Sequence, residues 1–415
     1  MLNKKALFKL SAVFALIYFF SPNGIASLPS LSISFLLKNT LHMTASEASY
    51  FGAIVIAGWI LKPLWGLISD AFPILGLRRK SYLIITTLGA AIVWAILGFL
   101  NEYSTGTLLV LFTLSSVFYA FMDVLCDALM IETGAPIGMT ARFQAVQWTA
   151  VYAASIIVGL AGGYVATNWQ PQSVFMLNAF FPLVILAVVL LAVGEKKRRR
   201  NREESARNIA VVRDTFKKKQ IWLLAFFIFF VAFSPSFGAP FFYYSVDALK
   251  FDAMFLGLIG SIAAVSAALG AILYGKYAPR FGTRFILRNS LIFFTLATLF
   301  DLVYFIPFLR EYLTIVRYVY GVTAVITGVA GAVIFLAILN CAALASPKGG
   351  EGTTFATLTA FWNIGLSGSS AIGGLLFAYI GLQPLIVVSA LFTGLGLLIL
   401  PRLRFADEKG FASLF

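Results

Sequence analysis

The sequence predicts an all-α polytopic membrane protein with twelve transmembrane helices in two pseudo-symmetric six-helix halves. Three observations carry that prediction. Of 415 residues, 60% are hydrophobic and only 12% are charged, with mean hydropathy +0.92. Soluble domains lie nearer half apolar and a quarter charged. The apolar residues fall into runs of about 20, the length that crosses a bilayer as a helix. Finally, features of the first half recur in the second at a constant offset.

The predicted spans of the first half are Phe8–Leu37, Glu47–Ser69, Tyr82–Leu100, Thr107–Glu132, Gly138–Thr167 and Ser173–Val193. Those of the second half are Gln220–Asp247, Ala253–Ala278, Arg284–Ile306, Tyr312–Ala345, Gly352–Ile380 and Leu385–Leu400. Residues 1–194 thus form an N-terminal half and 220–402 a C-terminal half, with a tail at 403–415. The linker at 195–219 contains Glu195-Lys-Lys-Arg-Arg-Arg200 and Lys217-Lys-Lys219. It is too charged to be buried and is expected to be the central cytoplasmic loop, where a polybasic run also attracts anionic lipid.

Charge and cysteine usage exclude several classes. The formal net charge of +14 sits in short loops between apolar runs, as cytoplasmic loops require, so nucleic acid is not an expected partner. Alternating the loops puts roughly 26 of the 31 Lys and Arg residues inside and about four outside, namely Lys38, Lys250, Arg310 and Arg317. Both termini are then cytoplasmic, in an inner or plasma membrane. Cys126 and Cys341 lie far apart in apolar segments, and His42 stands alone. Neither a disulfide framework nor a metal cluster is expected. The basic start leads into an apolar run too long for a signal-peptide core, so it is expected to be the first span.

The repeat is read from matched positions. Ser21-Pro22 in the first span matches Ser234-Pro235 in the seventh, and Pro29 matches Pro240 in the same order. Trp148 and Gly159 in the fifth span match Trp362 and Gly373 in the eleventh. Equal offsets across distant helices indicate parallel six-helix repeats, the plan of major facilitator transporters. Pro22-Asn23-Gly24 and Pro235-Ser236-Phe237-Gly238 are expected to interrupt spans 1 and 7, which is tolerated against protein or a water-filled cavity. Glycines of spans 5 and 11 are expected to be packing surfaces between helices.

Span 4 holds the costliest residues: Asp123, Asp127 and Glu132 lie in a segment otherwise apolar enough to cross a bilayer. Acids at that depth cost several kcal/mol and mark function by default. Asp123 and Asp127, four apart, share a helix face. Asp123 lies nine residues from the cytoplasmic end, or about 14 Å deep at helical rise, close to the midplane where such carriers bind substrate. The aligned stretch of the second half offers Asn340-Cys341 and apolar residues, so the acids are expected in one half only.

The loop after span 2 reads Gly66-Leu-Ile-Ser-Asp70 and then Gly76-Leu-Arg78-Arg79-Lys80. It resembles the cytoplasmic loop motif of the major facilitator superfamily, in which Asp70 would cap a helix or pair with arginine as a latch. The second-half copy, Gly275 to Arg284, has Pro279 in place of the aspartate. Lys62-Pro-Leu-Trp-Gly-x-Ile-Ser-Asp70, followed by Pro73-Ile-x-Gly-x-Arg-Arg-Lys-Ser-Tyr-Leu83, is similar to the folate–biopterin transporter family of that superfamily. So are Asp123-Val-x-x-Asp-Ala-Leu129 and the group Pro235, Phe241-Phe-Tyr-Tyr244, Leu249-Lys-Phe251 and Leu256-Gly257.

That resemblance implies a secondary carrier of folates, pterins or related heteroaromatic anions, working by alternating access and coupled to protons or to exchange. A pterin offers an amide N–H beside an exocyclic amine, a donor pair that one carboxylate accepts bidentately. Asp123 is therefore expected to face substrate. Asp127 is expected to serve substrate or proton, and Glu132 the gate with Asp70, Arg78 and Arg79. The alternative is that the acids simply pair with Lys62, Arg142 and Arg78. Lys62, Arg142 and Arg317 are candidate partners for folate carboxylates, although Lys62 equally suits snorkelling to the interface and Arg142 neutralising Glu132. Candidate stacking surfaces are Trp59, Tyr119, Trp148, Tyr152, Phe242, Tyr243 and Trp362, although in so aromatic a chain packing or lipid contact is the commoner role for any one of them. No cofactor and no enzyme chemistry are expected, and a two-half bundle is complete as a monomer. Two other readings stay open: the same fold carrying a nucleobase, amino acid or drug, and a receptor that transports nothing.

Overall fold

The computed structural model describes residues 4–134, 137, 139–195, 210, 211, 213–347 and 351–404. The expected cytoplasmic run 196–200 and the tail from 405 lie outside them. Among the described residues, ten helices are long and apolar enough to span a membrane, and two shorter apolar helices, Phe8–Phe19 and Lys219–Ala232, open the first and seventh predicted spans. Twelve spans therefore remain the plan, with spans 1 and 7 broken. The helices are α1 Lys4–Phe19, α2 Ser30–Phe35, α3 Ala45–Val55, α4 Lys62–Ala71, α5 Lys80–Phe99, α6 Thr105–Gly134, α7 Thr140–Asn168 and α8 Pro171–Ala192. They continue with α9 Lys219–Ala232, α10 Gly238–Asp247, α11 Ala253–Tyr277, α12 Thr283–Phe300, α13 Leu313–Leu344, α14 Glu351–Ile380 and α15 Leu382–Ile399.

The chain groups into two units. Unit 1 comprises Met1–His42, Val55–Arg200 and Ala253–Ala264; unit 2 comprises Met43–Ile54, Asn201–Asp252 and Val265–Phe415. Within unit 1, α5 packs on α8 and α6, and α1 packs on α7. Within unit 2, α12 packs on α15 and α13, and α9 packs on α14. These are the same pairings displaced by six spans, the structural form of the sequence repeat.

The two proline breaks satisfy their freed backbone groups differently. In span 1 the repair is local: the Ser21 hydroxyl donates to the Tyr18 carbonyl at 2.8 Å, and the Gly24 N–H donates to the Ser21 carbonyl at 2.9 Å. In span 7 neighbouring helices supply the partners. The Ser236 N–H donates to the Ser369 carbonyl at 3.0 Å, the Ser369 hydroxyl donates to the Ser234 carbonyl, and the Ser234 hydroxyl donates to the Ser389 carbonyl at 2.9 Å. Buried main-chain polar groups need such partners, whatever their source.

Span 2, expected to be continuous, is broken as well. It runs as α3, a single turn at Ala57–Ile60, and α4. Pro63 lacks the N–H that would bond back one turn, so the helix restarts at Lys62. The Trp65 indole N–H donates to the Gly58 carbonyl at 2.9 Å and replaces a main-chain donor there.

The glycines pack helices tightly, as the sequence suggested. In unit 1, Gly159 and Gly163 of α7 lie against Gly257 of α11, and the Ser261 hydroxyl donates to the Ile156 carbonyl at 2.6 Å. In unit 2, Gly374 lies against Ser49, and Ser46 donates to the Gly374 carbonyl at 2.8 Å. A Cβ on Gly159 would collide with the Ser261 side chain and backbone, whereas a Cβ on Gly275 would meet nothing within 4 Å. Gly159→Ala is therefore expected to lower thermal stability by about 1–3 kcal/mol through overpacking. Gly275→Ala is expected to be neutral or stabilising by up to about 1 kcal/mol through helix propensity. Unfolding midpoints of the two purified variants check both.

Candidate functional site

The site lies inside unit 1, where four of its spans converge. Lys62 opens α4, and its ammonium reaches Asp123 Oδ2 of α6 at 2.6 Å. Their side chains are only 12% and 7% exposed. Lys62 stands at the point where the helix restarts ahead of Pro63. The Trp59 ring lies 4.7 Å from the same ammonium, a cation–π contact that further confines it. Lys62 does not snorkel to an interface; it is spent on Asp123.

Asp127, one turn along α6, meets a different partner. The Tyr18 hydroxyl of α1 donates to Asp127 Oδ1 at 2.6 Å, and the Gln147 amide of α7 lies within hydrogen-bonding reach. Tyr18 and Gln147 are buried. Two carboxylates thus sit on one helix face, one charge-paired and one held by neutral donors.

A second cluster closes the loop end of unit 1. The Arg79 guanidinium donates to Ser69 Oγ at 2.6 Å, Asp70 Oδ1 at 2.7 Å and Glu132 Oε1 at 2.8 Å. Burial opposes its charge, but Asp70 and Glu132 outweigh that effect and push its pKa up. Arg78 lies 3.9 Å from Asp70. Gly76 adopts φ 77°, the left-handed turn a glycine permits.

Glu195 then caps α5. Its carboxylate accepts the backbone N–H groups of Arg78 at 2.9 Å, Arg79 at 3.0 Å and Lys80 at 2.8 Å. Lys80 returns the favour by donating to the Leu190 and Val193 carbonyls at the end of α8, at 3.1 and 2.7 Å. Opposite charges thus meet opposite helix poles. Unit 2 keeps a lighter copy, with Arg284 at the start of α12 donating to the Leu403 carbonyl at 2.6 Å.

The other sequence candidates are dispersed. Glu132 pairs with Arg79 and not with Arg142, which is exposed. The distance along α7 and the prior claim of Arg79 separate them. Trp148 and Tyr152 pack on each other at 5.9 Å. Tyr119 is buried within unit 1. In unit 2, Tyr243 donates to the Met43 carbonyl at 2.8 Å and has Phe242 at 5.9 Å, while Trp362 packs on Phe335 at 5.7 Å. Arg317 forms an exposed pair with Asp252 at 3.5 Å.

Sequence reasoning missed several residues. Tyr18 and Gln147 carry no signal in an aromatic-rich apolar span or an ordinary helix. Glu195 was masked by the basic run that follows it. The expectation that buried acids occur in one half only is corrected by Asp301, buried in unit 2 beside Tyr304 and Tyr320. It lies at the end of span 9, where the comparison of spans 4 and 10 could not find it.

Residues 23–402 match the BT1 family model. The chain belongs to the BT1 family. A folate-biopterin transporter from Synechocystis sp. is 29% identical over 394 residues, covering 93% of this BT1 chain and 78% of the relative. Folate transporter 2 of Plasmodium falciparum is 27% identical over 282 residues, covering 66% and 60%. Among solved structures, a D-xylose–proton symporter superposes with TM-score 0.73 at 14% identity, covering 97% of this chain and 99% of that one. The human organic anion transporter MFSD10 gives 0.64 at 15% identity, covering 94% and 97%. At these identities the structural likeness concerns the fold alone, and it is the major facilitator fold. This BT1 chain is an integral, multi-pass membrane protein of a family of transporters rather than of enzymes.

The buried pair makes an energetic prediction. Lys62→Met or Asp123→Leu alone strands one charge and is expected to cost about 3–5 kcal/mol, whereas the double variant regains most of that loss. A double-mutant cycle on unfolding midpoints measures it. Additive losses would mean that the two side chains do not interact.

Proposed function

We propose that this BT1 protein carries folate, pterin or a related heteroaromatic anion across the membrane by alternating access, with Asp123 as the group that grips the heteroaromatic ring. The observation that carries the reading is the Lys62–Asp123 pair at 2.6 Å, buried in a chain whose family includes a folate-biopterin transporter over most of its length.

Before substrate arrives, the Lys62 ammonium supplies the donors that Asp123 needs. The adjacent N–H and amine of a pterin match a carboxylate edge and substitute for that ammonium. Lys62 is then released beside the site, where its charge suits a substrate carboxylate. Buried exchange of one partner for another avoids the state in which either ion stands alone. Trp59, already against Lys62, offers a ring face to the substrate. Asp127 with Tyr18 is the proton-handling candidate, and Asp70, Arg78, Arg79 and Glu132 form the latch. In this reading the protein works as a monomer with both termini cytoplasmic, in a plasma or inner membrane, its basic linker against anionic lipid.

The exchange separates folate from biopterin. Folate carries glutamate carboxylates, which biopterin lacks. Lys62→Met is therefore expected to weaken folate binding by about 1.5–3 kcal/mol, roughly ten- to a hundredfold in Kd, and biopterin binding by less. Ligand-dependent thermal stabilisation reports the affinities. Asp123→Asn is expected to abolish uptake of both compounds in vesicles, and unchanged uptake would remove Asp123 from the site. Stabilisation by nucleosides or amino acids, with none by folate or biopterin, would assign the fold another cargo. No ligand and no uptake would favour a receptor.

A further inference from the structure

Behind Asp123, unit 1 contains a set of buried polar groups that the transport reading does not use. Asn178 of α8 is 0% exposed, Ser115 of α6 2%, Tyr119 of α6 4% and Trp94 of α5 5%. Among the described residues, neither end of the Asn178 amide nor the Ser115 or Ser116 hydroxyls has a hydrogen-bond partner, and the Tyr119 hydroxyl and the Trp94 indole N–H have none but each other. The usual local remedy is available and is not taken. Thr86 and Thr87 of α5 donate to the carbonyls one turn earlier at 2.9 and 2.6 Å, whereas Ser115 and Ser116 do not. Buried polar groups in folded proteins find partners in protein or in ordered water, and polar interior sites are where such water is held.

The positions of the groups make a line. Ser115, Tyr119 and Asp123 are successive fourth residues of α6, about 6 Å apart along the axis. One water bridging two groups at about 2.8–3.0 Å each spans that step. Trp94 of α5 lies beside the Tyr119 hydroxyl. The Trp94 ring is walled by Phe112 and Phe175, each at 5.7 Å, which also pack on each other at 5.9 Å. Asn178 follows Phe175 by one turn on α8.

We propose that a file of ordered water runs between α5, α6 and α8, held by Asn178, Trp94, Tyr119 and Ser115, and ends at Asp123. Lys62 occupies Oδ2 of that carboxylate, and the file hydrates it from the other side. If the transport reading holds, the file also gives a proton a route to Asp123 that bypasses its substrate contact. The titratable groups around that carboxylate are Lys62 from α4, Tyr18 from α1, and Cys126 and Asp127 from α6 itself.

Radiolytic hydroxyl labelling of the full-length protein tests the file without any substrate. Hydroxyl radicals generated from bound water mark adjacent side chains even when these are buried. Tyr119 should be labelled, whereas Tyr304, equally buried with its hydroxyl on Thr323 at 2.8 Å, should not. Tyr119 as silent as Tyr304 overturns the proposal. Asn178→Leu should abolish the Tyr119 label and lower the unfolding midpoint, because the remaining groups lose their water. A raised midpoint means that a dry, unsatisfied amide was relieved, and it also overturns the proposal. Should Asn178→Leu fail to fold, Ser115→Ala gives the same contrast in sign. In vesicles that accumulate folate, Asn178→Leu should move the pH dependence of uptake; an unmoved profile removes the proton route. If the parent protein takes up no folate, the transport reading fails and the labelling result still stands.

Discussion

An ammonium and a carboxylate meet at 2.6 Å between α4 and α6, in a bundle that gives neither of them free access to water. Each ion alone would be costly there by several kcal/mol, and together they are tolerable. Much of unit 1 follows from keeping them together. Pro63 breaks span 2 so that Lys62 begins a helix, Gly58 brings that segment against the backbone of Ser116, and the Trp65 indole repairs the carbonyl that the break exposes. Removing any one of these details loosens the geometry on which the pair depends. Asp127, one turn along, is held by a tyrosine hydroxyl from α1.

Both ions of the pair are already satisfied, so in the proposed mechanism a ligand has to replace one partner without stranding the other. At the loop end, the Arg79 guanidinium holds Ser69, Asp70 and Glu132 at once, which ties the loop to the ends of α4 and α6.

The fold was largely legible because hydrophobic run length, loop charge and a repeat at constant offset all report the same physical demand, burial of twelve helices in lipid. The breaks at Pro22 and Pro235 were legible for the same reason, since proline removes a donor wherever it stands. The site was half legible. Asp123 and Asp127 announce themselves by their cost, and Lys62 by its position in an apolar run. Their partners do not. Tyr18 and Gln147 are unremarkable until α1 and α7 bring them to α6, and Glu195 is a single acid at the edge of a basic run whose capping role depends on a contact 115 residues away. Asp301 escaped because repeat alignment searches equivalent positions, and its position has no acidic equivalent.

The reciprocal capping of α5 and α8 has a consequence for the chain's own continuity. Glu195 belongs by contact to the helices before it, although by sequence it opens the linker. The linker therefore starts from a fixed point, pinned by the main-chain N–H groups of Arg78, Arg79 and Lys80 at the start of α5. A polypeptide divided after Glu195 keeps that anchor in its first fragment, while one divided after Val193 leaves the start of α5 uncapped. The start of α5 is thus held by a residue that lies beyond the last apolar residue of α8.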